Sequence, residues 1–326
     1  MEFEQPRATG SIGQLSNNTG PVPLYLRMVR AALRRLNTSL SRRHESSVAR
    51  SAPMPAPASP PELGAAREQL ERLDVPEGAA REYFMRHLSR LARTLTLTPP
   101  STTSGRILEL GCYMQLTPFL ECWRGYADVR GAYFGALGET RLGSASVAGK
   151  PFQCPIDLFD VERDRFPYDD NLFETVLACE MIEHLLRDPM HLLLECRRIL
   201  EEGGRLIITT PNVASLTSVA RALHGYDNPQ LYSQYQVPGG RDASTDPPHV
   251  REYTAFELRD LLQAAGFEIE NLFTEPIAEL AMNLPMWNFL EEHGYNTSLR
   301  GEQTYSVAVK RSGLPVTRYP KFLYSD

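Results

Sequence analysis

The 326-residue chain holds no uninterrupted apolar run near the ~18 residues that a membrane-spanning helix needs, and its N-terminus lacks the apolar stretch of a secretory signal. Export and membrane insertion are therefore not expected. Its five cysteines (Cys112, Cys122, Cys154, Cys179, Cys196) are odd in number, widely spaced and include no C-x-x-C pair. That spacing fits neither a disulfide framework nor a zinc knuckle, and predicts free thiols in apolar surroundings and a reducing, cytoplasmic setting. No metal-ligand set is expected. No G-x-G-x-x-G follows the first strand-like run, which argues against a nicotinamide-dependent oxidoreductase. No internal repeat is visible.

What is present is ordinary for a globular protein: 42% hydrophobic and 23% charged residues, enough for a sizeable core. The net charge of -6 hides an asymmetry. Residues 1–60 hold eight Arg, no Lys and three acids, a local balance of +5 that leaves -11 on the rest. An acidic body argues against a nucleic-acid partner.

Residues 1–61 read as a basic leader rich in Pro, Ala and Arg, ending in Ser51-Ala-Pro-Met-Pro-Ala-Pro-Ala-Ser-Pro-Pro61, which holds neither helix nor sheet. Within it, Leu26, Val29, Leu33 and Leu36 recur at helical spacing, with Arg27, Arg30 and Arg34 on another face. Residues 22–40 are thus either a basic amphipathic helix for peripheral membrane or protein contact, or a transient helix in a disordered tail.

Residues 62–103 form a helical preface of two helices broken near Pro76-Glu-Gly78, and Pro99-Pro100 end it. Strand-like runs then alternate with helical ones. Strands are predicted at 106–110, 129–134, 155–158, 173–179, 205–210, 267–273 and 304–309, and helices at 117–123, 188–200 and 254–265. Pro211 is expected to stop the fifth strand. The pattern predicts an α/β fold: a doubly wound, mostly parallel, seven-stranded Rossmann-like sheet over residues 104–310, with a C-terminal tail at 311–326.

In such sheets ligands bind at the carboxyl ends of strands, where strand order reverses. After the first strand stands Glu109-Leu-Gly111-Cys-Tyr-Met-Gln-Leu-Thr117. Before the fourth stands Phe166-Pro-Tyr-Asp-Asp-Asn-Leu-Phe, and after it Cys179-Glu-Met-Ile-Glu-His-Leu185, continuing into Asp188-Pro and Gly203-Gly-Arg-Leu-Ile-Ile-Thr-Thr-Pro-Asn212. His249-Val-Arg-Glu-Tyr-Thr254 and Ala265-Gly-Phe267 follow.

On these motifs residues 104–310 resemble class I S-adenosylmethionine-dependent methyltransferases. The likeness is strongest to the subgroup found with polysaccharide and glycoconjugate biosynthesis. The resemblance implies S-adenosylmethionine as cofactor and methyl transfer to a small or glycan-type acceptor, at oxygen. It places Glu109 and Gly111 at the methionine end of the cofactor, Asp160 and Val161 at the adenine, and Cys179 and Glu180 beside the sulfonium. Two departures stand out: the usual Gly-x-Gly is absent, and Tyr133 occupies the position of the acid that holds the ribose hydroxyls.

Asp160 also reads as a turn cap and Cys179 as core packing. His184 and His249 are the possible bases, since imidazole titrates near neutrality. A structural role for either is the competing reading. The segment Gly225 to Pro248, with Tyr226, Tyr232, Tyr235 and Arg241, reads as a lid suited to a hydroxyl-rich acceptor. The alternative function is a methyltransferase-like binding or scaffold protein with a degenerate cofactor site. That reading predicts a pocket filled by Tyr113, Met114 or Tyr133.

Overall fold

The computed structural model describes residues 60–101, 103, 105–225, 227–231, 248–277 and 284–325. The leader, with its 22–40 segment, and Tyr226, Tyr232, Tyr235 and Arg241 lie outside them. The elements belong to one compact unit, Ser51–Glu292 with Asn296–Asp326. Of the second unit, Met1–Arg50 with His293–Tyr295, residues 293–295 are described.

In chain order the elements are α1 (Pro60–Leu70), α2 (Ala79–Leu97), β1 (Arg106–Leu110), α3 (Thr117–Cys122), β2 (Asp128–Tyr133), β3 (Thr140–Val147) and β4 (Lys150–Leu158). Then come β5 (Phe173–Cys179), a 3-10 turn (Ile182–His184), α4 (Pro189–Ile199), β6 (Leu200–Pro211) and α5 (Leu216–His224). The described chain ends with α6 (Ala255–Ala264), β7 (Phe267–Glu275), α7 (Leu284–Glu292) and β8 (Gln303–Lys310). None of the described helices is long and apolar enough to cross a membrane.

The strands form one sheet in the order β3-β4-β2-β1-β5-β6-β8-β7. The five central strands, β4-β2-β1-β5-β6, pair in parallel. Strand β8 runs antiparallel between β6 and β7, and β3 runs antiparallel on the outer side of β4. Strand β3 makes the sheet eight-stranded where seven strands are expected. Its sequence, Thr140-Arg-Leu-Gly-Ser-Ala-Ser-Val147, has no apolar run because it covers little core, and its partner β4 is longer than the predicted 155–158 for the same reason. As expected, β6 stops at Pro211, which is its last residue and pairs with Gln303 of β8.

The parallel strands are buried on both faces, which accounts for their near-continuous apolar runs. Alternate residues serve the two sides. Ile107, Leu177, Ile207 and Val307 pack against Leu70, Phe84, Leu88, Leu95 and Phe119 of α1 to α3. Leu108, Val176, Leu206, Ile208 and Ala308 pack against Leu192, Leu193, Cys196, Leu258 and Leu262 of α4 and α6. Each Val, Leu, Ile or Phe among them, fully buried, contributes roughly 1.5–3 kcal/mol. The N-terminal helices are thus one cover of the sheet. Arg93 of α2 donates to both carboxylate oxygens of Glu275 at the end of β7, one contact being 2.9 Å.

Helix starts follow local chemistry. Asp188 accepts from the His191 amide, with Pro189 at the first helical position of α4. Thr254 and Glu257 form a reciprocal capping box on α6. The tail folds back to the same Asp188: Arg318 donates to it at 3.0 Å and the Tyr324 hydroxyl at 2.6 Å.

Candidate active site

Strand order reverses between β1 and β5, so the crevice at their carboxyl ends is the place to expect a ligand. Glu109, Gly111, Tyr133, Cys179 and Glu180 all reach it, because they end or directly follow β1, β2 and β5. Glu109 is buried and accepts a hydrogen bond from the Thr117 hydroxyl at 2.6 Å. Burial, with the Cys112 thiol as a smaller cause, holds its carboxyl well above the usual carboxylate range. Gly111 turns the chain with φ +68°, and a Cβ there would lie 3.1 Å from the Met181 methyl.

At the tip of β2, the ring of Tyr133 meets the edge of Tyr113, centroids 5.7 Å apart and hydroxyls 3.4 Å apart. Tyr113 is 56% exposed, and the Met114 sulfur is turned toward Cys112 and Cys154. Asp160 accepts from the Glu162 amide at 2.9 Å and so holds its own turn, with Val161 packed beside it against the core. Glu139 lines a cavity of about 460 Å³ with Arg106, Asp128, Arg130, Thr140, Asp157 and Tyr168, along β2 and β4.

On the β5 side, burial pushes the Cys179 thiol up to about 12. Glu180 adopts φ +50°, a conformation unfavourable for a residue with a Cβ. Its carboxylate is over-determined from outside: the Thr209 hydroxyl and the Gln303 amide donate at 2.7 Å each, and Arg90 of α2 approaches to 3.8 Å. Three separate elements therefore hold Glu180 where it is.

Next to it lies a cluster of two histidines and two acids. The amides of Val250 and Arg251 donate to the Glu183 carbonyl at 2.8 and 3.1 Å, which lays segment 248–253 against the 3-10 turn. The rings of His184 and His249 then meet edge to face, centroids 4.7 Å apart. His249 Nδ1 bonds to the buried Glu252 carboxylate at 2.9 Å, and Glu252 also accepts from the Leu231 amide. Glu183 is fully buried; its Oε2 accepts from Thr210 at 2.8 Å, and Oε1 has no partner. Desolvation, with Glu180 as a smaller cause, holds its carboxyl well above the usual range. An unsatisfied buried acceptor costs about 1–3 kcal/mol, so Glu183 is expensive unless something uses it.

Sequence reasoning singled out the histidines but not Glu183, Glu252, Thr210 or Arg90. The run Glu183-His184 was its only local signal.

The family model described as a methyltransferase domain matches residues 78–272. A probable S-adenosylmethionine-dependent methyltransferase of Mycolicibacterium smegmatis is 32% identical over 105 residues, covering 32% of this chain and 32% of the relative. Another probable S-adenosylmethionine-dependent methyltransferase, from Mycobacterium tuberculosis, is 26% identical over 170 residues, covering 52% of this chain and 50% of the relative. The chain thus spans between a third and a half of these relatives. The crystal structure of a SAM dependent methyltransferase from Archaeoglobus fulgidus aligns with a TM-score of 0.45 at 19% identity, over 71% of this chain and 97% of that one.

Proposed function

The chain belongs to the methyltransferase domain family, and from that premise we propose that it transfers a methyl group from S-adenosylmethionine to the oxygen of a small hydroxyl-bearing acceptor, of glycan type. The observation that carries the reading is the crevice itself. It joins a bare positive-φ glycine, a buried carboxyl and a clamped acid across the point where strand order reverses.

The residues present fit the cofactor. Glu109 is a buried carboxyl with no ion pair among the described residues, and a cationic ligand beside it would offset the burial that disfavours its charged form. Gly111, with no side chain, takes the positive-φ turn after β1 that a residue with a Cβ rarely adopts. Tyr113 and Tyr133 bring two hydroxyls to the tip of β2, where they can take the place of an acid toward the ribose. Asp160, which holds its own turn, and Val161 would meet the adenine, and Cys179 and Glu180 would lie toward the sulfonium.

The cofactor, when bound, supplies a methyl group already made electrophilic by its sulfonium. What remains for the chain is positioning and the removal of one proton. The acceptor hydroxyl loses that proton beside His184 and His249. Glu252 orients His249 through Nδ1, so that Nε2 carries the lone pair. The glycan class is supported by the sequence of segment 226–241 and by the subgroup likeness.

Calorimetry with S-adenosylmethionine and S-adenosylhomocysteine tests the cofactor, with saturable heat expected from both. Heat with neither overturns the proposal. One observation favours a second reading, a binding protein on the same fold: the Met181 methyl stands over Gly111. That reading predicts no heat and an unchanged melting temperature.

A further inference from the structure

Glu183, His184 and His249 each offer one ligand atom, and these atoms lie within 4.8 Å of one another. The main chain creates this arrangement, because segment 248–253 is bonded to the Glu183 carbonyl independently of the side chains. Two further observations point to a ligand. The first is the Glu183 carboxylate: fully buried, without an ion pair, and with Oε1 unused while Thr210 takes Oε2. A protein that needed only core at this place could fill it with an apolar side chain. The second is the Glu252–His249 pair. A carboxylate on Nδ1 fixes the tautomer and raises the basicity of Nε2, which is how metal-ligating histidines are usually supported.

Glu180 is not part of the set. Its Oε1 accepts from Thr209 and Gln303 and lies near Arg90, and it is not among the ligand atoms that come together. What remains is one carboxylate and two imidazoles. We propose that Glu183, His184 and His249 bind a divalent cation of the first transition row, and that its open positions receive oxygen atoms of the methyl acceptor.

The donor set decides the class of cation. Magnesium and calcium favour oxygen ligands, whereas two imidazoles with one carboxylate suit manganese, iron, cobalt or zinc. Three protein ligands leave positions open, the pattern of a catalytic rather than a structural site. The second clause of the proposal rests on the methyl-transfer reading and assigns the cluster a job within it. A coordinated hydroxyl becomes more acidic. Its proton leaves to solvent, the acceptor oxygen forms the new C–O bond with a lone pair, and the C–S bond breaks with its electron pair going to sulfur. The imidazole of His249 then serves as a ligand rather than as the base.

The test uses the full chain, stripped with a chelator and titrated with Mn²⁺, Zn²⁺ or Co²⁺ in a calorimeter. The visible spectrum of the Co²⁺ form is recorded, and each sample is also titrated with S-adenosylhomocysteine. Saturable binding of one cation per chain is expected, with a Co²⁺ spectrum typical of nitrogen and oxygen ligands and a rise in melting temperature. Glu183→Gln and His249→Ala should each weaken binding by about tenfold or more. If a variant fails to fold, the wild-type titration and melting shift still decide.

No saturable binding of any of the three cations, or binding that both folded variants retain undiminished, overturns the site. Cation binding without heat from S-adenosylhomocysteine overturns the methyl-transfer reading and with it the acceptor clause, leaving the cation site standing. The reverse result overturns the cation site alone.

Discussion

Tyr133 packs perpendicular to Tyr113, with the two hydroxyls 3.4 Å apart at the tip of β2, where an acid would serve a ribose. If the pair holds the ribose hydroxyls, removing one phenolic oxygen costs about one neutral hydrogen bond. Tyr133→Phe is then expected to weaken S-adenosylhomocysteine binding by about fivefold, close to 1 kcal/mol. Tyr133→Glu should tighten it. Affinity unchanged in both variants, measured by calorimetry, would mean that the ribose is held elsewhere.

Gly111 combines a positive φ with the Met181 methyl 3.1 Å from where a Cβ would stand. Gly111→Ala is expected to cost about 1–2 kcal/mol of stability from backbone conformation. It should also lower cofactor affinity by more than that strain explains, since the added methyl projects into the crevice. The double variant with Met181→Ala should recover part of the stability. Denaturant melts and calorimetry on the two variants separate strain from crowding.

His87 of α2 is expected to contribute to the pH dependence of stability. Burial, and then Arg90 beside it, lower its pKa to about 4 from an ordinary value of 6.5. The folded state therefore keeps the ring neutral. Its contribution is fully present above pH 6.5 and is lost as the pH falls through about 4, where the unfolded chain has already taken up the proton. The loss is on the order of 2 kcal/mol, reduced by the partial exposure of the ring. His87→Gln should flatten the melting temperature between pH 6.5 and 4. An unaltered slope in that variant would assign the acid sensitivity to other groups.

Asp188 joins the start of α4 to the tail through Arg318 and Tyr324. Asp188→Ala removes the cap and both tail contacts, and should cost about 2 kcal/mol, of which the cap accounts for about 1. Asp188→Asn keeps a cap and should lose less. Limited proteolysis is expected to cut after Lys321 or Arg318 sooner in Asp188→Ala than in the wild type. Equal cutting rates would show that the tail is held by its apolar contacts alone.

The sheet was legible because its strands are buried on both faces, and long apolar runs such as Arg205-Leu-Ile-Ile-Thr-Thr210 leave few other structures open to them. Strand β3 escaped because Gly143 and its serines give no run to read. Helix α5 escaped although Ser215 caps it and Gly225 ends it in a left-handed turn, since the nine residues between lie beside a long polar segment. At the crevice, Glu109, Gly111 and Glu180 could be read from their places after strands. The environment of Glu183 could not. Thr210 is 27 residues away and the 248–253 segment further still, and no local pattern states that a glutamate will be buried with one oxygen unused.

The place of β8 between β6 and β7 also sets an order of assembly. Strand β7 is made first, yet β8 is its only neighbour among the described strands, and β8 begins 28 residues after β7 ends. Until residues 303–310 have left the ribosome, β7 has nothing to pair with and β6 presents an open edge beside the core. A chain stalled or cleaved before Gln303 would keep that edge and should collect in aggregates. Closure of the sheet is thus tied to the emergence of residues 303–310, and a chain that has not yet made them is the form most exposed to aggregation.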